Sequence, residues 1–179
     1  MDQLSPLIVT ATLSPGDQRR FDALRRLHFP PERNHLAAHL TLFHHLPPAR
    51  FDELCTLLRQ LAADGPPAAQ VTGVYSLGRG VAYRVDAPAM LALRDRVAEW
   101  FAADLTPQDQ AQPRLHITVQ NKVEPAVAKA LLAELAGEFV PHPLAITGFA
   151  VHYYRGGPWE TAAQIGFRGS AKGSARARY

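Results

Sequence analysis

Covalent staples are missing from this chain. It holds a single cysteine, Cys55, so no internal disulfide can form. Cys55 shares a helical face with Phe51, Leu54 and Leu58, which marks it as a small core residue rather than a nucleophile. A chain without disulfides suits a reducing compartment, and a cytoplasmic location is expected. Long apolar runs are missing too. None approaches the ~20 residues of a membrane span, so no membrane partner is expected. The N-terminus lacks a basic region, and "LIVTATL" is too short for a signal peptide's apolar segment. Several chemistry-bearing motifs are absent as well. There is no G-x-S-x-G elbow, no G-x-x-x-x-G-K-[ST] loop and no G-x-G-x-x-G turn, so lipase-like, P-loop and dinucleotide-binding readings lack support. His35 and His39 stand four apart, as zinc ligands on a helix would, but the glutamate of H-E-x-x-H is missing. Neither metal nor cofactor is expected.

Excess charge is scarce. The 179 residues carry 19 Lys and Arg against 16 Asp and Glu. The last eleven residues, "GSAKGSARARY", supply Lys172, Arg176 and Arg178 and no acid, so the remainder is neutral. A body without a basic stripe argues against long duplexes and permits a small anionic substrate. The expected organisation is one domain over 1–168 with a basic, flexible tail over 169–179. A monomer is the default expectation.

What is present is an alternation of strand-like and helix-like segments. "LIVTATL" (7–13) reads as a strand, and Ser14-Pro15-Gly16-Asp17 as a helix start. Phe21, Leu24 and Leu27 give that helix an apolar face. "LAAHLTLFHHL" (36–46) reads as a strand closed by Pro47-Pro48, and a helix follows to about Ala63. "VTGVYSL" and "VAYRV" form a hairpin around Gly78-Arg79-Gly80. A helix with Met90, Leu93, Val97, Trp100 and Phe101 on one face follows, then a polar loop over 104–113 and the strand "RLHITVQNKV". One more helix, with Val127, Leu131, Leu135 and Phe139, leads to a closing hairpin around Arg155-Gly156-Gly157-Pro158. Helix, strand, helix and hairpin thus occur twice. That order points to an α+β fold with largely antiparallel sheets, in which two related lobes set equivalent strands around a central cleft with the helices outside.

Both equivalent strands carry His-x-Thr, as "HLTLF" (39–43) and "HITVQ" (116–120), 77 residues apart. Residues i and i+2 of a strand share a face. His39 and Thr41 therefore point one way and Leu40 and Leu42 the other, and His116 and Thr118 oppose Ile117 and Val119 likewise. Two histidines facing across a cleft suit phosphodiester chemistry. One takes the proton of the attacking hydroxyl or water and the other protonates the departing oxygen. The two threonine hydroxyls can donate to the non-bridging phosphate oxygens as their charge grows.

Strand parity adds candidates. Gln120 and Lys122 share the His116 face if the strand is regular, as does Arg114 at its entrance. Lys122 is a candidate phosphate contact and Gln120 a phosphate or base contact. Phe43 shares the His39 face and is a candidate base-stacking ring, with a core position as the alternative. Tyr154 and Trp159 flank the last turn and are candidate cleft walls. Tyr75, Tyr83 and Arg84 sit on the middle hairpin with no fixed direction. His44 and His45 read as surface residues beside a turn.

The two motifs, with "VAYRVDAPAMLALRD" and "YYRGGPW", resemble the two-histidine (2H) phosphoesterase superfamily, and within it the 2'-5' RNA ligase-like proteins. The resemblance spans roughly 5–168. It implies a bilobal α+β domain with a pseudo-two-fold axis and activity on 2',3'-cyclic or 2'-5'-linked nucleotide or RNA phosphodiesters without a cofactor. His39 and His116 then correspond to the acid/base pair, and Thr41 and Thr118 to the phosphate-binding residues. A small nucleotide or an RNA end is the implied partner. A non-catalytic module binding such ends on the same fold is the second reading.

Overall fold

A computed structural model describes residues 5–169. The basic tail expected after 168 lies, apart from Gly169, outside the described residues. Eight strands form one antiparallel sheet in the order β6-β3-β4-β5-β2-β1-β7-β8. Their ranges are β1 Leu7–Leu13, β2 Leu40–Leu46, β3 Gln70–Ser76, β4 Val81–Asp86, β5 His116–Gln120, β6 His142–Pro143, β7 Ile146–Tyr153 and β8 Glu160–Gly166. The helices are α1 Pro15–His28, α2 Phe51–Leu61, α3 Pro88–Trp100, the short α4 Pro107–Gln110 and α5 Pro125–Glu138.

Local signals explain the starts of these elements. The Ser14 hydroxyl accepts from the Asp17 amide at 3.2 Å, and Pro15 occupies the first helical position, where its missing N–H costs nothing. Asp17 in turn accepts from the Ala145 amide at 2.9 Å and ties the start of α1 to the chain entering β7. Leu7, Val9, Ala11 and Leu13 alternate into the core from β1, while Thr12 turns to the opposite face. Phe21 of α1 is fully buried, edge-on to Tyr83 of β4 with ring centroids 5.5 Å apart. Burial on that scale contributes roughly 1.5–3 kcal/mol per large side chain. The contact also puts Tyr83 on the helix-covered side of the sheet.

Three expectations change. Leu27 is 75% exposed, and α1 instead buries Phe21 and Arg25. Trp100 is 58% exposed, its indole N–H donating to Glu53 at 2.6 Å. The hairpins are also exchanged between the sequence halves. β3–β4 borders β5 of the second motif, and β7–β8 returns to β1 beside the first. Each lobe is therefore assembled from both halves of the sequence. The repeating unit is β1-α1-β2 and β4-α3-β5, and the two units meet where Leu40 pairs with Ile117.

Candidate active site

The seam between β2 and β5 builds the site. Leu40 and Ile117, each the residue after a motif histidine, pair antiparallel there, and both are fully buried. Continuing that register one step either way sets His39 opposite Thr118 and Thr41 opposite His116. Directly opposed residues stand roughly 4.5–5.5 Å apart. Each histidine thus faces the other motif's threonine, and all four share the face turned away from the buried Leu40 and Ile117.

The two imidazoles are held the same way. His39 Nδ1 lies 2.8 Å from the carbonyl of Ala37, and His116 Nδ1 lies 2.7 Å from the carbonyl of Arg114. A carbonyl oxygen only accepts, so both Nδ1 atoms carry the hydrogen. Each Nε2 is left without a protein partner among the described residues. Among the described residues no protein group bonds the hydroxyl of Thr41 or Thr118.

Both strands break their regular alternation at the same motif position. On β2, Thr41 pairs with Thr10, but Phe43 pairs with the next β1 residue, Val9, so Leu42 is an extra residue. On β5, Thr118 pairs with Ala82 and Gln120 with Val81, so Val119 is extra. Each is a β-bulge, and a bulge reverses the parity of everything beyond it. This corrects three expectations. Phe43 is 1% exposed under the guanidinium of Arg94, 4.5 Å from its ring centroid, and is a core residue with no free face for a base. Gln120 is 4% exposed and withdrawn from the open cleft. Lys122 lies past the end of β5 in an exposed left-handed turn, φ 62°, and does not continue the His116 face.

A bulge also leaves a ladder carbonyl without its partner, and a buried carbonyl needs one. Two buried arginines supply it. Arg94 of α3, 3% exposed, donates from Nε to the carbonyl of Leu42 at 3.2 Å. Arg25 of α1, 4% exposed, donates from Nη1 to the carbonyl of Thr118 at 2.9 Å. Each helix thus reaches the motif strand of the opposite repeat. Arg25 is further held by Asn34 Oδ1 at 3.1 Å and lies over Phe29. Asp109, 1% exposed, anchors the far end of β2. It accepts from the amides of His44 and His45 and from the His44 ring. Burial alone would raise its pKa, but these bonds outweigh that and hold the carboxyl below its usual value.

The surroundings of the two histidines differ. Beside His39 stands Trp159, with ring centroids 4.7 Å apart, and His152 of β7 lies on the same indole at 5.5 Å. Thr10 Oγ1 and His152 Nε2 are 2.9 Å apart, and His152 Nδ1 meets Thr161 Oγ1 at 3.0 Å. The segment entering β2 is clamped by α1. Asp22 accepts from the Ala38 amide at 2.7 Å, and Gln18 donates to the Ala38 carbonyl at 2.9 Å. Burial pushes the His39 pKa down to about 4. The charges of Arg25, His116 and His152 act in the same sense, against the bond to the Ala37 carbonyl, which raises it. Burial lowers the His152 pKa as well. A groove of about 1140 Å³ opens from this side, lined in part by Thr12, Gln18, His35, Thr147 and Gln164.

Beside His116 stands Tyr75 of β3, edge-on with centroids 5.9 Å apart, flanked by the guanidinium groups of Arg84 and Arg114. Tyr154 is 44% exposed on the last turn, and among the described residues its ring meets neither motif histidine.

Sequence reasoning did not find Gln18, Asp22, Arg25, Thr10 or His152. A signal existed for the first three. They stand at i, i+4 and i+7 on α1, one polar line beside the buried Phe21, easily read as a solvated face. Thr10 and His152 alternate correctly for the cleft face, but only the β1–β7 pairing brings them together.

Comparisons with known proteins bear on the fold and the family. The model of the 2'-5' RNA ligase superfamily matches residues 13–158. Comparison with curated protein sequences finds no match. Among solved structures, TT0787 of Thermus thermophilus is 16% identical, with 93% of this chain and 100% of that chain covered and a TM-score of 0.57. Escherichia coli LigT, solved in complex with 3'-AMP, is 17% identical, with 92% and 99% covered and a TM-score of 0.56. A LigT complex with NADP+ gives 16% identity, 93% and 99% coverage and the same score. At these identities the solved structures establish the shared fold. The match of the family model over most of the chain establishes more: this chain belongs to the 2'-5' RNA ligase superfamily of 2H phosphoesterases.

Proposed function

We propose that the chain cleaves 2',3'-cyclic or 2'-5'-linked phosphodiesters of nucleotides or RNA ends by paired-histidine acid/base catalysis, without a metal. One observation carries this reading. Both motif imidazoles are pinned through Nδ1 by the carbonyl two residues back, which leaves both Nε2 atoms, and both threonine hydroxyls, without a protein partner among the described residues, on the same face of the sheet. That set provides every proton transfer the reaction needs. His39, held neutral at pH 7, takes the proton of the attacking water or hydroxyl at Nε2. His116 delivers a proton from its Nε2 to the departing ribose oxygen. Thr41 and Thr118 donate to the non-bridging oxygens, whose charge grows toward the transition state. Reversal of the same steps would join ends. LigT's complex with 3'-AMP supports a nucleotide as the ligand class.

The test is turnover of a panel of 2',3'-cyclic nucleotides and 2'-5'-linked dinucleotides in the presence of EDTA. His39→Ala and His116→Ala are each expected to lose at least ~10²-fold in kcat, the low end for a general acid or base. Full activity in both variants would refute the mechanism. Activity abolished by the chelator would refute metal independence. Tight binding without turnover would leave a binding module on the same fold.

A further inference from the structure

We propose that Arg84, Arg114 and Tyr75 form a second anion subsite beside His116, one that takes a phosphate group other than the one cleaved. The inference rests on the phosphodiester reading above and names a substrate class within it: phosphodiesters that carry an additional phosphate, as a 5'-phosphorylated nucleotide or an RNA end does.

The register places these residues together. Arg84 of β4 pairs with His116 of β5, and Ala82 pairs with Thr118, so Arg84 shares the face of the motif. Arg114 stands two residues before His116, and its carbonyl is the one that holds the His116 ring. On the next strand Tyr75 pairs with Ala82, which turns it to the same face. The Arg84 and Arg114 guanidinium carbons lie 5.4 and 5.6 Å from the Tyr75 ring centroid. The aromatic ring attracts both cations and gathers two like charges that would otherwise separate. Burial raises the Tyr75 pKa, so the phenol stays neutral and offers the guanidinium groups no counter-charge.

Neither arginine has an acidic partner among the described residues. Some other arginines of this chain do, as Arg50 with Glu53 and Asp104, Arg79 with Glu124, and Arg155 with Glu160. Two exposed guanidinium groups gathered on one ring without a carboxylate, on the face of the site, offer forked donors suited to the acceptor oxygens of a phosphate. The opposite flank supports the choice of direction. Among the described residues, the groove beside His39 has no lysine or arginine in its lining and contributes the carboxylate of Asp22. An extra anionic group therefore settles toward Arg84 and Arg114. Because the ring holds the cations, Tyr75 acts as a positioning residue.

The experiment compares adenosine 2',3'-cyclic phosphate with its 5'-phosphorylated counterpart, which adds one phosphate and nothing else. The wild-type protein is expected to favour the 5'-phosphorylated substrate by at least about ten-fold in kcat/KM, the lower end for one charged hydrogen bond. In Arg84→Gln/Arg114→Gln that ratio should fall to near one. Tyr75→Leu should lower it without abolishing it, because the cations remain but are no longer gathered. Equal wild-type kcat/KM for the two substrates would overturn the proposal, as would a ratio unchanged in the double variant. Should the wild-type protein turn over neither substrate, the phosphodiesterase reading fails by itself. Calorimetric binding of adenosine 3',5'-bisphosphate against adenosine 3'-monophosphate then decides the subsite. A preference for the bisphosphate that the double variant loses supports it, and no preference overturns it.

Discussion

The protonation of His39 can be followed from the folded chain to a measured number. Burial, with Arg25 and two other histidines nearby, lowers its pKa from 6.5 to about 4. The sign of the linkage follows. Well above pH 6.5 the imidazole is neutral in both the folded and unfolded states and contributes no pH dependence. As the pH falls from 6.5 toward 4, the unfolded chain takes up a proton that the folded chain refuses, so stability is lost with acidification. One pKa unit corresponds to 1.36 kcal/mol, so the His39 contribution to that loss is about 2 kcal/mol at pH 5 and roughly 3 kcal/mol at pH 4. His152, whose pKa burial also lowers, acts in the same direction. The contribution of His39 is therefore isolated by difference, from urea unfolding of the wild-type protein and His39→Gln at pH 7, 6 and 5. The variant should lose about 2 kcal/mol less between pH 7 and pH 5. NMR titration of the His39 ring Cε1–H measures the pKa directly. Arg25→Met removes a fixed positive charge that acts on the ring and should move the midpoint upward. A His39 midpoint at 6 or above in the wild-type protein would refute the reasoning, because the burial and neighbouring charges described above could not then be acting on the ring.

Two further predictions concern the scaffold. Arg25→Met and Arg94→Met keep much of the buried stem but strip the partner from a bulge carbonyl, and each should cost roughly 1–3 kcal/mol in urea unfolding, the penalty of an unsatisfied buried group. Hydrogen exchange should quicken at the β5 amides in the first variant and the β2 amides in the second; unchanged stability in both would show that the carbonyls are satisfied otherwise. Gly80→Ala places a Cβ 2.0 Å from the carbonyl oxygen of Gln120, backbone against backbone, so the turn or the end of β5 must move. Overpacking of this kind costs about 1–3 kcal/mol, and an unfolding midpoint equal to that of the wild type would contradict the close approach.

The legible parts of this chain and the illegible ones divide at the bulges. Period-2 alternation identified the two motifs, assigned the faces of His39, Thr41, His116 and Thr118, and found both hairpins. For the four motif residues it did so because they precede the extra residues, and Gly-rich turns marked the hairpins. Beyond Leu42 and Val119 the same rule puts Phe43, Gln120 and Lys122 on the wrong side, since nothing in "LTLFHH" or "TVQNK" marks a strand that gains a residue. The partner strand decides that, by pairing Val9 with Phe43 and Val81 with Gln120. The exchange of hairpins is hidden for a similar reason. Periodicity reports the face a residue takes, and the choice of neighbour is made by packing between distant segments. Arg25 was legible only in hindsight. A buried cation on an amphipathic helix makes sense once a bulge supplies the carbonyl it must reach.

The duplication sets both imidazoles in one backbone frame, and their neighbours tell them apart. An acid/base pair needs its two imidazoles in opposite protonation states when the substrate arrives, whereas a repeated backbone gives both the same Nδ1 bond and the same opposed threonine. What surrounds the two repeats differs, and on the His39 side it disfavours the proton that a general base must lack. On the β1 side Thr41 is paired with Thr10, which engages His152, and Trp159 covers both rings. On the β4 side Thr118 is paired with Ala82, which has no polar group to offer, and the covering ring is Tyr75 with two guanidinium groups. A neutral, histidine-rich flank that disfavours a proton on His39 faces a cationic flank that attracts phosphate toward His116. In the proposed reaction that difference gives the cleft a direction: the backbone symmetry positions a phosphodiester between the motifs, and the broken symmetry of the side chains selects which end of it leaves.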